Sequence, residues 1–281
     1  MVSLVHTIPP GTRVDLAAIN PNPPEGVAKK AAIEEFDALA KELGELQELL
    51  FAADRHSLLI VLQGMDTSGK DGAIRNVLKD VNPAGCRVAS FKQPTDLELA
   101  HDFLWRIHAQ APERGAMVVF NRSHYEDVVV VRVKELVPPA VWGARYDRIN
   151  EFERLLVDAG TVVLKFFLHI SPEEQAERLT AREQEVEKAW KLNAGDWIER
   201  RAWPSYMQAY QDALGRCSTA TAPWRIVPAD KKWFRNVAIA KTAVEALRPL
   251  KAGWLETLAE RGQAELAEIA EARASGRLSS G

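Results

Sequence analysis

Cysteine is scarce in this sequence: the 281 residues include only two, Cys86 and Cys217. Two thiols cannot form the disulfide framework of a small secreted domain, and a reducing cytosol is the simplest environment for them. Cysteines and histidines also do not occur at the spacings that are typical of zinc sites. We therefore expect a cytoplasmic protein, and nothing in these spacings indicates zinc.

Long apolar runs and a large net charge are missing as well. The apolar stretches at 58–62 and 116–120 are too short to span a bilayer, and the first 16 residues lack the basic region and apolar run of a signal peptide. The formal net charge is −3, so the overall charge does not indicate a polyanionic partner. Any basic site must therefore come from lysine and arginine side chains that lie close together in the fold. We expect neither a membrane nor a nucleic acid as a partner.

The sequence does contain short apolar runs that alternate with helical periodicity. The runs predict strands at 57–64, 86–91, 116–120, 161–170 and 224–229. The periodic segments predict helices at 27–55, 70–80, 96–110 and 236–247, and another that begins after Ser171 as its N-cap. Because strands alternate with helices, we expect an α/β fold with a parallel sheet covered on both faces. Ligands bind at the carboxyl ends of the strands in such folds.

Composition divides the chain into three predicted parts. Residues 1–55 form an arm rich in proline and glycine, followed by a helix. Residues 56–250 carry the alternating pattern and form the main domain, and residues 251–281 form a peripheral helix with a frayed tail.

The stretch GMDTSGKDG has the form of a phosphate-binding loop. Gly64, Gly69 and Lys70 fit the pattern G-x-x-x-x-G-K, directly after a predicted strand and before a predicted helix. In such a loop the backbone N–H groups surround an oxyanion, the helix N-terminus adds positive potential and the lysine supplies a mobile charge. We expect the whole loop to bind phosphate, including the residues Met65, Thr67 and Ser68. The alternative is a structural glycine turn.

Two aspartates in this loop are unusual. Asp71 stands where a Ser or Thr hydroxyl normally ligates Mg²⁺, so its carboxylate either holds the metal or stabilises the helix N-terminus. Asp66 would repel a phosphate unless a metal ion, a basic neighbour or an acceptor proton lay nearby. The sequence therefore predicts a loop that handles phosphate together with a metal, with Asp66 and Asp71 as ligands.

A second loop, FNRSHYEDV, follows the third predicted strand. Arg122 lies just past the strand end, and its planar fork suits a phosphate, although an ordinary salt bridge is the alternative. Asn121 stands where many nucleoside-triphosphate enzymes carry a metal-associated aspartate. Glu126 and Asp127 follow within one helical turn. We expect Glu126 to face the substrate, and Asp127 either to bind the metal or to be a surface or capping carboxylate.

A third stretch, RLTAREQEVEKAWKLNAGDWIERR, carries closely spaced cations. Arg178 and Arg182 are four residues apart and share a helix face, and Lys188 and Lys191 follow. Residues 178–201 are therefore predicted to form a lid that closes cations over a phosphate site; a solvated helix with salt bridges is the alternative. Lys92, at the end of the second predicted strand, is a further candidate phosphate contact.

Together these pieces resemble the family-2 polyphosphate kinases. The matching segments run in order over roughly residues 30–250 and include LLIVLQGMDTSGKDGAIRNVL, FNRSHYEDVVVVRV and TAPWRIVPADKKWFRN. The resemblance implies a three-layer P-loop kinase fold with a helical lid, similar to thymidylate kinase. It also implies phosphate transfer between inorganic polyphosphate and a nucleotide with Mg²⁺ or Mn²⁺, and a homo-oligomer, either a dimer or a tetramer.

Carried over by residue, the resemblance implies a catalytic set of Asp66, Lys70, Arg122, Arg178 and Arg182. The lid would add Lys188 and Lys191. The family often has an aspartate where this chain has Asn121, so that metal ligation would pass to Glu126 or Asp127. The form FNRSHYEDV resembles the branch that acts on AMP as well as ADP.

The sequence thus predicts an enzyme that transfers a phosphoryl group from polyphosphate to AMP or ADP, forming ADP and ATP. An ATP-dependent nucleoside monophosphate kinase is one alternative, because it would share the loop, the crevice and the lid. A non-enzymatic protein that binds polyphosphate or nucleotide is the other.

Overall fold

The computed structural model describes residues 3–184, 194–275 and 277. Within this part of the chain, the strands form one six-stranded sheet. They are β1 (His6–Thr7), β2 (Ser57–Gln63), β3 (Cys86–Ser90), β4 (Met117–Asn121), β5 (Thr161–His169) and β6 (Trp224–Pro228).

Helices connect the strands and cover the sheet. They are α1 (Lys29–Ala53), α2 (Lys70–Val77), α3 (Asp96–Leu99), α4 (Trp105–His108), α5 (Val130–Val133), α6 (Pro139–Asp158), α7 (Pro172–Gln184), α8 (Ala194–Arg200), α9 (Trp203–Arg216), α10 (Lys232–Leu247) and α11 (Lys251–Ala274). The predicted α/β class is confirmed.

The strand order is β1-β6-β5-β2-β4-β3. The four pairs that strands β2 to β6 form with one another are all parallel. The N-terminal arm adds β1 as a short antiparallel edge strand on β6. Strand β2 lies near the centre of the sheet and is buried along its whole length. Its end, from which the phosphate loop departs, is therefore a rigid platform.

Both faces of the sheet are apolar because both are covered by helices. Along β2, Leu58, Ile60 and Leu62 belong to a core shared with α1, α2 and α10. Leu59 and Val61 belong to a second core, shared with α6 and α9. This alternation produces the three layers predicted from the resemblance. Helix α1 lies within the first core, and α11 adds the fully buried Trp254 to it.

Most element boundaries lie within a few residues of the predictions, with one larger difference. The helix predicted at 96–110 consists of two short helices, α3 and α4, and the Asp102 side chain accepts a hydrogen bond from Leu104 N at the break between them. The helical pattern between the second loop and Gly160 contains Pro138 and Pro139, which predict a break there. The structure has that break, since α5 ends at Val133 and α6 begins at Pro139. Ser171 caps α7 as expected, since its hydroxyl accepts from Glu174 N at 3.1 Å.

Among the described residues, we find no helix with the length and apolar character needed to cross a membrane. Lys188 and Lys191, which the sequence assigns to the lid, lie outside the described residues.

Candidate active site

The loop between β2 and α2 requires glycine at two positions. Gly64 has φ +152°, and a Cβ there would lie 2.7 Å from the Leu168 carbonyl oxygen. Gly69, the N-cap of α2, has φ +96°. Only glycine adopts such conformations without strain and lets the backbone approach so closely. The loop geometry is thus a local consequence of the glycine spacing.

Lys70 folds back onto this loop. Its Nζ donates to the carbonyl oxygens of Gly64 at 2.8 Å and Met65 at 3.2 Å, and the residue is 8% exposed. Burial lowers the pKa of Lys70, and the neighbouring Asp66 opposes that shift. The ammonium group is therefore held at the loop, where a phosphate would accept its hydrogen bonds.

Asp66 has the basic neighbour that its position requires. Arg122 Nη2 donates to Asp66 Oδ1 at 2.6 Å, and Arg122 Nη1 lies 3.3 Å from Glu126 Oε2. Arg122 follows β4 directly and has φ +62°, which turns the chain away from the strand direction. Burial raises the pKa of Glu126, although Arg122 and Lys70 lower it. The guanidinium group thus joins the two loops between two carboxylates.

Asp71 lies in the first turn of α2 and interacts with the second loop. Asn121 Nδ2 donates to Asp71 Oδ1 at 2.8 Å. Both alternatives for Asp71 stay open, because a carboxylate in this turn also complements the helix dipole. The described residues contain no group of three or more His, Cys, Asp or Glu side chains that could hold a metal ion by themselves. Asp66 and Asp71 nevertheless line one cleft, and Mg²⁺ commonly combines one or two carboxylates with substrate phosphates. This donor set fits such a metal.

Asp127 departs from the expectation of a metal ligand. Its Oδ1 lies 3.2 Å from Arg145 Nη1, and its Oδ2 lies 3.7 Å from Arg106 Nη2. Residues 124–127 form a 3-10 turn, in which successive side chains point to different sides, so Asp127 meets α4 and α6 while Glu126 meets Arg122. Asp127 is 7% exposed and does not line the cleft around the loop. This position gives a metal role for Asp127 no support.

Arg178 does not have the contacts expected of a lid cation that faces a phosphate site. Its Nη1 donates to the carbonyl oxygens of Thr67 at 2.9 Å and Ser68 at 3.0 Å, and its Nη2 donates to those of Ala229 at 2.7 Å and Asp230 at 3.0 Å. The guanidinium donors thus point at backbone, because α7 packs beside the phosphate loop. Arg178 braces the loop and holds it against the segment that follows β6.

Arg182, one helical turn further along α7, does line the cleft. Its Nη1 lies 2.9 Å from Asp196 Oδ2 on α8. Trp197 Nε1 donates to Glu183 Oε1 at 2.7 Å, so the two helices of the predicted lid contact each other. Arg182 therefore presents a cation of the predicted lid to the cleft.

Arg235 on α10 is a site residue that sequence reasoning missed. It is 2% exposed, and a Cβ on Gly69 would lie 2.0 Å from its Nη1. Burial, together with the nearby Arg178, lowers the pKa of Arg235 to about 10. The segment WFRN carries no spacing that links it to a loop far away in the chain, so no sequence signal identifies this contact.

These elements enclose a cleft of about 620 Å³ at the carboxyl ends of β2, β3 and β4. The predicted residues that line it are Asp66, Thr67, Gly69, Lys70, Asp71, Lys92, Asn121, Arg122 and Arg182. Four of them are cations and two are carboxylates. A smaller adjoining pocket contains Gly64, Met65 and Glu126 and adds Tyr206 and Tyr210, which sequence reasoning did not select. The cleft can hold a phosphate chain along its cations.

Comparisons with known proteins agree with this geometry. The family model for polyphosphate kinase 2 matches residues 26–252. An AMP/ADP-polyphosphate phosphotransferase of Meiothermus ruber is 50% identical over 247 residues, which cover 87% of this chain and 92% of that protein. An ADP-polyphosphate phosphotransferase of Rhodopseudomonas palustris is 44% identical over 233 residues, which cover 79% of this chain and 81% of that protein.

A solved structure shows the same fold. The crystal structure of polyphosphate kinase 2 from Arthrobacter aurescens TC1 has a TM-score of 0.83 and 40% sequence identity, and it covers 89% of this chain and 93% of that chain. The family model spans the loop, the cleft and the helices of the predicted lid. The chain belongs to the polyphosphate kinase 2 family.

Proposed function

We propose that this protein transfers a phosphoryl group between inorganic polyphosphate and AMP or ADP, forming ADP and ATP. The observation that carries the proposal is the convergence of Lys70, Arg122 and Arg182 with Asp66 and Asp71 in one cleft. Cations alone would suit any anion, but carboxylates beside them suit a highly charged chain that arrives with metal ions. The name of the Meiothermus ruber relative includes both acceptors.

Phosphoryl transfer needs little covalent help, so positioning and charge neutralisation account for most of the catalysis. Lys70 and the backbone N–H groups of the loop bind the transferring phosphate, and Arg182 adds charge from α7. Arg178 is a positioning residue, because its guanidinium group donates to carbonyl oxygens of the loop and does not bind the substrate. Asp66 and Asp71 would hold Mg²⁺ or Mn²⁺, which when bound neutralises phosphate charge.

Arg122 binds the acceptor phosphate in this scheme. Its contacts with Asp66 and Glu126 orient the guanidinium toward the loop that carries the donor phosphate. Asp66 can also orient the acceptor for in-line attack. Because the acceptor and donor phosphates repel each other, the arginine between the two loops lowers the cost of bringing them together.

An ATP-dependent nucleoside monophosphate kinase is the second candidate, and the same loop and cations favour it. The two functions differ in the donor. We further propose a cytoplasmic location and a homo-oligomer, either a dimer or a tetramer, as the resemblance implies; size-exclusion chromatography with light scattering tests the oligomer.

The first experiment mixes the purified protein with Mg²⁺, long-chain polyphosphate and AMP in the absence of ATP. Chromatography then follows the nucleotides. We expect ADP to form first and ATP afterwards. ATP from ADP with no reaction of AMP would restrict the acceptor to ADP. No reaction with polyphosphate, together with activity when ATP is the donor, would overturn the proposal in favour of the second candidate.

A further inference from the structure

A group of charged and polar side chains is buried next to the second loop and does not line the cleft. The group consists of His124, Tyr125, Glu153 and Lys165, and each is at most 1% exposed. It lies on three elements: the 3-10 turn after Arg122, helix α6 and strand β5. We refer to these four residues as the buried network.

Lys165 is the centre of the buried network. Its Nζ donates to Glu153 Oε2 at 2.5 Å, to Tyr125 OH at 3.0 Å and to the Cys217 carbonyl oxygen at 2.6 Å. An ammonium group has three donors, so these contacts use all of them. The Nζ also lies 5.3 Å from the ring centroid of Trp224. Lys165 therefore has no capacity left for a substrate.

Glu153 links Lys165 to the turn. Its Oε1 accepts from Tyr125 OH at 2.7 Å and contacts His124 Nε2 at 3.2 Å. Burial opposes ionisation of Glu153, but Lys165 and His124 outweigh it, so the pKa of this carboxyl lies below its usual value. Glu153 is thus a carboxylate with both oxygens engaged.

A buried ion pair is weak grounds for stability, because desolvation of both charges offsets much of their attraction. The ion pair between Glu153 and Lys165 has a second effect, because its members also contact His124 and Tyr125, two consecutive residues of the turn. Ser123 is tied down as well: its Oγ accepts from Gln63 Nε2 at 3.1 Å. Residues 123–125 are therefore all anchored to buried side chains.

The anchored residues lie between Arg122, which lines the cleft, and Glu126, which lines the adjoining pocket. Arg122 precedes them with φ +62°, and Glu126 follows them. Arg122 N donates to the Leu62 carbonyl oxygen at 3.1 Å, which fixes its backbone on the other side. A shift of the turn would carry Arg122 and Glu126 with it.

We propose that His124, Tyr125, Glu153 and Lys165 are positioning residues that set the direction of Arg122 toward the phosphate loop. This inference rests on the proposed role of Arg122 in binding the acceptor phosphate. The buried network acts through the backbone of the turn and touches no substrate.

Tyr125→Phe and Glu153→Gln are the test variants, because the first removes the hydroxyl group, the second removes the negative charge, and both nearly keep the volume. Each is made in the wild-type background and together with Arg122→Lys, which keeps the positive charge but loses the fork. We expect each variant to lower kcat roughly tenfold in the wild-type background, since small displacements of a positioning group are costly. With Arg122→Lys present, we expect almost no further loss, because the network would have nothing left to position.

Ser57→Ala is the matched control. It removes a buried hydrogen bond of 2.9 Å between Ser57 Oγ and Thr161 Oγ1, at the opposite end of β2 and β5. We expect it to lower the melting temperature while leaving kcat unchanged. Equal losses of kcat for the network variants in both backgrounds, or a loss of kcat with Ser57→Ala that follows stability, would overturn the inference.

Hydrogen exchange supplies a readout that needs no turnover. Amides of residues 122–126 are expected to exchange faster in Glu153→Gln than in wild type, whereas Ser57→Ala should leave them unchanged. Unchanged exchange in Glu153→Gln would refute the positioning role. If the wild-type protein uses ATP alone as donor, the proposed donor is wrong, and the same kinetic cycle with ATP still tests whether the network acts through Arg122.

Discussion

Replacing Gly69 by alanine tests the geometry of the phosphate loop directly. Gly69 has φ +96°, and an added Cβ would lie 2.0 Å from Arg235 Nη1, a contact that real Cβ atoms do not show. The backbone cost of a non-glycine residue in the left-handed region is about 1–2 kcal/mol. Nη1 is the tip of a flexible side chain, but Arg235 is 2% exposed and its Nη2 donates to Asn236 Oδ1 at 2.8 Å, so displacing this tip costs a further ~1–3 kcal/mol. We expect Gly69→Ala to lower the free energy of unfolding by roughly 2–5 kcal/mol.

Gly11 allows the two costs to be separated. It also has positive φ, +71°, but an added Cβ would meet nothing within 4 Å. Gly11→Ala should therefore show the backbone cost alone, about 1–2 kcal/mol in urea unfolding. In the Arg235→Ala background the steric conflict is gone, so adding Gly69→Ala there should cost only the backbone term, about 1–2 kcal/mol, as Gly11→Ala does.

Activity is the second readout for this prediction. Because Gly69 is the N-cap of α2 and precedes Lys70, a displaced loop should lower kcat even where the protein stays folded. If Gly69→Ala costs no more stability than Gly11→Ala and keeps wild-type kcat, the close approach of Arg235 does not constrain the loop, and the reasoning fails.

Three further predictions concern the carboxylates. Asp66→Asn should lower turnover and alter the dependence of rate on Mg²⁺ concentration, because it removes a charge beside Arg122 and the cleft; unchanged metal titrations would contradict its proposed role. Asp127→Asn should leave the metal titration unchanged but lower the free energy of unfolding by about 1–3 kcal/mol, since Arg106 and Arg145 lose a buried partner. Glu126 has a raised pKa in the folded protein, so it binds more protons there than in the unfolded chain. Between its ordinary value of 4.5 and that raised pKa, its contribution to stability should fall as pH rises, and Glu126→Gln should remove this slope in urea unfolding followed against pH.

Some of the site could be predicted because it depends on local chain properties. Glycines at 64 and 69 permit the loop conformation, and the strand before them and the helix after them follow from the apolar pattern. The carboxyl ends of parallel strands meet at one edge, so Lys92 and Arg122 could be placed near the loop before any contact was known.

Other residues have roles that local pattern could not separate. Arg178 and Arg182 lie on the same helix face by spacing, yet one braces loop carbonyls and the other lines the cleft. Glu126 and Asp127 are adjacent, yet only Glu126 reaches Arg122. In each pair the contacts of a side chain depend on which neighbouring element packs against it, and the spacing of residues in the sequence does not specify that packing.

The alternation of strands and helices, the glycine loop and the lysine that follows it could be read from the chain, because they depend on backbone freedom and on periodicity within a few residues. The contacts of Asp66 with Arg122, of Arg235 with Gly69 and of Lys165 with Tyr125 in the turn depend instead on the packing of the whole domain. These partners are far apart in the chain. They meet because the sheet order and the helices packed on it bring their elements together, and that arrangement is a property of the whole core.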